Sequence, residues 1–214
     1  MNYTHIIWDF NGTILDDVQI GIDAVNKMLQ KRDMPRIESV EQYREIFGFP
    51  IKEYYRRCGF DFERDDYEKV LAPEWVKEYN DHEHLTGLCE GIEVVLSAFQ
   101  KAGVKQSIVS ASKSDMLKKQ IGRLGIGSYF FDVVGCDNFF AYGKEALLSD
   151  YVKRFENDRF LLIGDTSHDA ESAKKAGIDC VLLLTGHMSR RELNKCGCKV
   201  YENALCLAQE LLMK

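Results

Sequence analysis

Asp9 closes the apolar run Ile6-Ile7-Trp8 and is followed at once by Phe10, Asn11, Gly12 and Thr13. Asp165 and Asp169 follow Leu162-Ile163-Gly164 in the same way, Ser110 follows Ile108-Val109, and Lys144 opens a helical pattern upstream of Phe160. In an open parallel sheet ligands bind outside the carboxyl ends of the strands, so these features are expected on one rim. Their types suit phosphoryl transfer. A carboxylate such as Asp9 can attack phosphorus and form an aspartyl-phosphate, splitting a hard hydrolysis into two displacements. Asp9 and Asp165, from different strands, can hold a divalent cation that shields an anionic nucleophile from an anionic phosphate. Ser110 can donate to a phosphoryl oxygen, and Lys144 can neutralise charge in the transition state. That is a reaction site without a histidine; His168, within "GDTSHDA", is read as a surface residue at a helix N-terminus.

The elements that must carry these residues follow from periodicity. Short apolar runs, Ser107-Ile108-Val109, Asp132-Val133-Val134, Phe160 to Ile163 and Cys180 to Leu184, alternate with helical patterns. One helical face joins Ile92, Val95, Leu96 and Phe99, and another Leu148, Tyr151, Val152 and Phe155. Alternation of this kind predicts strand-helix-strand units on a doubly wound, Rossmann-like parallel sheet. The stretch from Asp16 to Leu85 differs: Val18, Ile22, Val25 and Leu29 form a helical stripe, and Tyr43 to Phe47 and Tyr67 to Tyr79 also read as helical. The expected organisation is an α/β core from residues 1–15 and 86–214, with an all-helical domain inserted over 16–85. The Tyr and Trp residues of the insert are read as packing.

The 214 residues suffice for one core plus an accessory unit. With 45% hydrophobic and 29% charged residues the composition is that of a folded globular chain. A net charge of −6 and the lack of a dense Lys/Arg run argue against nucleic acid as a partner. No apolar run approaches membrane-spanning length and no leader pattern stands at the N-terminus, so a cytoplasmic location is expected, as a monomer or homodimer. Seven scattered cysteines without a Cys-x-x-Cys pair are expected to be reduced thiols. Neither Cys196-Gly197-Cys198 nor His82-Glu83-His84 has the spacing of a zinc site.

The motifs taken together resemble the haloacid dehalogenase superfamily, and within it the phosphoglycolate phosphatase-like enzymes with a helical cap. The first motif is "WDFNGTILDD", the second "SIVSAS", the third "YGKEALL" and the fourth "LLIGDTSHDAESAKKAG". The resemblance implies Mg²⁺ held by the Asp9 carboxylate, the Asn11 backbone carbonyl and Asp165, with Asp169 a direct or indirect anchor. It implies a small phosphorylated metabolite as substrate, touched by Gly12, Thr13, Ser110, Ala111 and Lys144. It also implies that Phe47-Gly48-Phe49-Pro50 closes over that substrate, excluding water and selecting the leaving group.

One position departs from the family pattern. Its phosphatases carry a second aspartate two residues after the nucleophile, to protonate the leaving oxygen and then activate water. Asn11 stands there instead, and an amide cannot shuttle a proton. Three explanations follow: a leaving group that departs unprotonated, such as an acyl phosphate; a substitute acid, with His168, Asp16 and Asp17 the nearest candidates; or a weakly active or non-catalytic phospho-ligand binder. Phosphonate hydrolases also lack the second acid and use a cap lysine, for which Lys52 is the candidate. Gly12-Thr13 and Lys144 follow the phosphatase rather than the dehalogenase pattern.

Overall fold

The computed structural model describes residues 2–136 and 144–213. In chain order its strands are β1 (His5–Trp8), β2 (Leu15–Asp16), β3 (Gly87–Leu88), β4 (Lys105–Lys113), β5 (Asp132–Cys136), β6 (Phe160–Gly164), β7 (Asp179–Leu183) and β8 (Lys199–Tyr201). Its helices are α1 (Val18–Gln30), α2 (Val40–Ile46), α3 (Ile51–Arg57), α4 (Ala72–His82), α5 (Ile92–Lys101), α6 (Ser114–Leu124), α7 (Lys144–Lys153), α8 (Ser167–Ala176), α9 (Arg190–Leu193) and α10 (Ala204–Leu212). A π-helical turn, Tyr67–Leu71, leads into α4.

Six parallel strands make the main sheet in the order β5-β4-β1-β6-β7-β8. β1 is central and wholly buried; Ile6, Ile7 and Trp8 are apolar, and the His5 ring nitrogens lie 3.0 Å from Asp158 and 2.9 Å from Ser107. Side chains alternate across it: Ile6 and Trp8 pack with Ile92, Leu96, Phe99 and Leu117 on one face, and Ile7 packs with Leu148, Tyr151 and Leu162 on the other. The indole of Trp8 donates to Gln106 Oε1 at 3.1 Å, so its one polar atom is satisfied inside the core. Sheet and helices are those of the expected doubly wound fold.

The chain leaves the core through β2 and returns through β3, which pair antiparallel as a two-stranded ribbon. Between them lies the helical insert, with its own apolar cluster built on Val25, Met28 and Leu29 of α1, Tyr43 of α2, Tyr54 and Tyr55 of α3, and Leu71. Arg32 ties this unit together, donating to Asp65 Oδ2 at 3.1 Å and Glu74 Oε2 at 2.8 Å.

Two expectations need correction. Ser110 and Ala111 lie inside β4 rather than beyond its end, because β4 goes on pairing with β5 across a register shift between Val109 and Lys113 after its last rung with β1 at Ile108. Phe155 lies past the C-terminus of α7, although it still packs against that helix's buried face. No helix among the described residues is long and apolar enough to cross a membrane.

Candidate active site

Asp9 stands just past β1, its amide donating to Ile163 O of β6 at 2.8 Å. The chain then turns tightly, with Phe10 O accepting from the amides of both Ile14 and Leu15 at 2.9 Å. Gly12 is required in this turn: its φ is +69°, and a Cβ there would lie 2.4 Å from Asp165 Oδ2 and 2.6 Å from His187 Cδ2. The turn brings the first motif against the end of β6, where Asp165 begins the connection to α8.

Asp169 organises that connection. It lies in the first turn of α8, where its Oδ2 accepts from Thr166 Oγ1 at 2.6 Å, Thr166 N at 3.0 Å and Asp165 N at 3.2 Å, closing a capping box with Thr166. Its Oδ1 accepts from the Lys144 ammonium, which also donates to Asp9 Oδ1. Asp165 is held from two sides, by Thr13 Oγ1 at 3.1 Å and by the His187 amide at 2.8 Å. Asp9, Asp165 and Asp169 are all buried and offer oxygens that lie within 4.8 Å of one another. Among the described residues this is the cluster of acidic, His or Cys side chains arranged to share a cation.

Burial and charge act against each other here. Burial pushes the Asp9 carboxyl up to about 7, more than the adjacent Lys144 ammonium can bring it down. Asp165 is likewise pushed up to about 6 by burial, in spite of the positive field of His187. Burial opposes the charge of Asp169 too, but Lys144 and the Thr166 hydroxyl hold its carboxyl below the usual range. Lys144 is disfavoured by burial, yet the two carboxylates raise its pKa.

Asn11 is locked rather than free. Its amide donates to Asp17 Oδ2 at 2.7 Å and Tyr79 Oη at 3.2 Å, and its carbonyl accepts from Ser112 Oγ at 2.6 Å. Asp17 is buried and also takes the Gly12 amide at 2.9 Å and the Tyr79 hydroxyl at 2.8 Å. Its remaining partner, His187, was not anticipated. His187 Nε2 lies 3.2 Å from Asp17 Oδ1, and its Nδ1 is 2.8 Å from Tyr43 Oη of the insert. Burial alone would lower the His187 pKa; Asp17 reverses this and raises it to about 9.

Removing one member of such a pair leaves the other charge buried, so His187→Gln should cost about 3 kcal/mol in denaturant unfolding. The raised histidine stabilises fully below its ordinary 6.5 and loses that contribution as pH climbs through about 9. The deficit of the variant should therefore be largest near pH 6 and shrink above pH 9.

Above the carboxylates lies a cavity of about 230 Å³. Asp9, Asn11, Ser110, Ala111, Lys144 and Asp165 line it from the core, with Phe47 and Phe49 among the residues from the insert. Gly12, Thr13 and Gly48 do not line it; Thr13 turns its hydroxyl to Asp165 instead. His168 is half-buried and stacks on Phe49 with ring centroids 4.6 Å apart, so it is a cavity wall rather than a surface residue. Six aromatic residues of the insert read as packing, Tyr43, Tyr54, Tyr55, Tyr67, Trp75 and Tyr79, also line the cavity. Lys52 does not line it, and lies 3.7 Å from Glu68 and over the Tyr67 ring. Tyr142 and Gly143 of the third motif fall outside the described residues.

Comparison with known proteins places this fold in a family of hydrolases. The model of the haloacid dehalogenase-like hydrolase family matches residues 6–183, and the chain belongs to that family. A Caldanaerobacter subterraneus subsp. tengcongensis protein provisionally named pyrophosphatase PpaX is 25% identical over 186 residues, 85% of this chain and 81% of that one. A Pseudomonas putida phosphoglycolate phosphatase is 24% identical over 199 residues, 88% of this chain and 72% of its own. In fold, a haloacid dehalogenase-like family hydrolase from Streptococcus pneumoniae superposes with a TM-score of 0.80 at 17% identity, covering 98% of this chain and 99% of its own.

Proposed function

We propose that this phosphatase-like hydrolase is Mg²⁺-dependent and cleaves a small phosphorylated metabolite through a phosphoryl intermediate on Asp9, with residues 16–85 acting as the cap. The observation that carries the reading is the meeting of three buried carboxylates and one buried ammonium, of which Asp9, Asp165 and Lys144 line a cavity. The donor set suits a hard cation: all oxygen, converging, and in Asp9 and Asp165 buried carboxyls whose charge the nearby cations do not fully offset. Asp9, Asp165 and the Asn11 backbone carbonyl would hold Mg²⁺, which when bound supplies charge neutralisation to phosphate and nucleophile. Asp169 spends both oxygens on Lys144 and the turn, which favours an indirect role.

In the first displacement an Asp9 carboxylate oxygen bonds to phosphorus as the bond from phosphorus to the leaving oxygen breaks. In the second, water attacks the same phosphorus, releasing inorganic phosphate and restoring the carboxylate. Lys144 holds Asp9 in place and faces the phosphoryl charge, and Ser110 offers a hydroxyl from β4. Proton supply is the weak link. Asp17 is ionised and saturated with donors, both His187 nitrogens are engaged, Asp16 is exposed, and His168 is kept neutral by burial. A leaving group that departs as a stable anion therefore suits Asn11. Phosphoanhydrides and aryl or acyl phosphates meet that condition, and the pyrophosphatase designation of one relative points the same way. The same amide supports the second reading, a phospho-ligand binder with little turnover.

Turnover of 4-nitrophenyl phosphate with Mg²⁺, lost in EDTA, supports the enzyme; turnover that survives exhaustive chelation refutes the metal site. Independent of activity, Mg²⁺ at 100 times its Kd should stabilise the fold by about 2.7 kcal/mol, a rise in Tm of roughly 5–10 °C. The rise should be greater at pH 8 than at pH 5.5, because Asp9 and Asp165 must shed protons to bind the cation.

A further inference from the structure

Apart from Asp17, whose charge is matched by His187, the residues that the insert contributes to the cavity are uncharged, and most are aromatic. Trp75 stacks on Tyr79 with centroids 4.8 Å apart, and Tyr67 meets Tyr55 edge-on at 5.4 Å, so the walls are flat, fixed ring faces. Such walls reward a planar apolar group over a carboxylate or a second phosphate, and Lys113, which lines the cavity from β4, is paired with Asp115 at 2.9 Å. The cavity of about 230 Å³ falls below the ~300–1,000 Å³ of sites for larger ligands, which leaves room for a phosphate and one small ring system.

Two buried polar atoms of the lining lack a hydrogen-bond partner. Tyr54 Oη from α3 and Gln120 Nε2 from α6 are buried without a hydrogen-bond partner, and each residue is only 3% exposed. Cys58 and Tyr79 lie near enough to influence them electrostatically, but neither contact has the geometry of a hydrogen bond. Both residues line the cavity. Buried donors left unpaired in a ligand cavity are groups that a ligand completes.

Resting on the phosphatase reading for the floor of the site, we propose that its substrate is the monophosphate of a small, uncharged, planar ring that bears hydrogen-bond acceptors, with the ring held between cap aromatics. Tyr54 and Gln120 select the acceptors. A ring alcohol whose anion is stabilised by the ring also eases the departure that Asn11 cannot assist.

Binding isolates this inference from turnover. Titration calorimetry of the Mg²⁺-loaded protein with non-hydrolysable phosphonates should show benzylphosphonate binding at least 10-fold tighter than methylphosphonate. Phosphonoacetate, with a carboxylate in place of the ring, should bind no tighter than methylphosphonate. 4-Pyridylmethylphosphonate should outbind benzylphosphonate several-fold, and Tyr54→Phe combined with Gln120→Met should erase that margin while ring preference persists, with thermal unfolding as the check on folding. Equal binding of benzyl- and methylphosphonate, tighter binding of phosphonoacetate, or no binding of any of them overturns the ring site. A pyridyl margin that is absent or survives the double variant overturns the acceptor selection. Ring-selective binding with no hydrolysis of phenyl or 4-nitrophenyl phosphate would sink the phosphatase reading and leave this one standing. Hydrolysis of ethyl and benzyl phosphates with equal kcat/KM would do the reverse.

Discussion

Asp9→Asn should lower kcat for 4-nitrophenyl phosphate by at least about 10⁴-fold, the scale on which a nucleophile acting in concert with its neighbours is lost. The substitution is isosteric, and Lys144 keeps Asp169 as a partner, so the site should stay assembled. Stability should move the other way. In metal-free protein the Asp9 carboxyl rises on folding from 3.8 to about 7, because burial outweighs Lys144. A carboxyl raised in this way destabilises the fold progressively as pH climbs between those values, and fully above them. An amide escapes that penalty. The Tm of the variant in EDTA should therefore match wild type near pH 4 and exceed it above pH 7. Retention of more than a hundredth of wild-type turnover would remove Asp9 from the nucleophile's role. A variant no more stable than wild type at pH 8 would mean that its charge is already compensated within the fold.

The same strand-end logic shows how much was legible beforehand. Asp9, Ser110, Asp165 and Asp169 each follow a buried apolar run, and that pattern is local, so sequence alone places them on one rim. His187 obeys the same rule, following β7 through Leu184, Thr185 and Gly186, yet no motif marked it. What makes it matter is Asp17, 170 positions away by chain order, and a pairing of that separation leaves no periodic trace. The Tyr and Trp residues of the insert were legible as packing but not as cavity walls, unlike Phe47 and Phe49. Periodicity distinguishes an apolar face from a polar one; it does not say whether that face meets another helix or a ligand. β2, β3 and β8 run two or three residues, too short for alternation to show. The extension of β4 past Val109 depends on a register shift set by β5, which is a tertiary fact.

Asn11→Asp should raise kcat/KM for alkyl phosphates such as ethyl phosphate by about 10-fold or more, on the scale of general acid catalysis, while 4-nitrophenyl phosphate gains little. The reason lies in what the amide now touches. Its nitrogen donates to Asp17 Oδ2 at 2.7 Å, so the substitution would set a second carboxyl oxygen against an existing carboxylate. Asp17 is held ionised: burial opposes its charge, but His187, Asn11 and Tyr79 more than compensate. Two carboxylates in contact cannot both be ionised without penalty, so one proton stays with the pair and the new group titrates well above the ordinary carboxylate range. A proton retained near neutral pH is what an alkoxide leaving group needs. The pH-rate profile for ethyl phosphate should gain a limb that falls with rising pH, absent from wild type. Adding Asp17→Asn should shift that limb to lower pH by removing the neighbouring charge. Wild type, in contrast, should favour aryl over alkyl phosphates by a wide margin and release 4-nitrophenol in a burst, since slow attack of water leaves phosphate on Asp9. If wild type hydrolyses ethyl phosphate as readily as the aryl ester, and Asn11→Asp changes neither that ratio nor the pH profile, then another residue already delivers the proton and the amide is only a structural tie between Asp17, Tyr79 and Ser112.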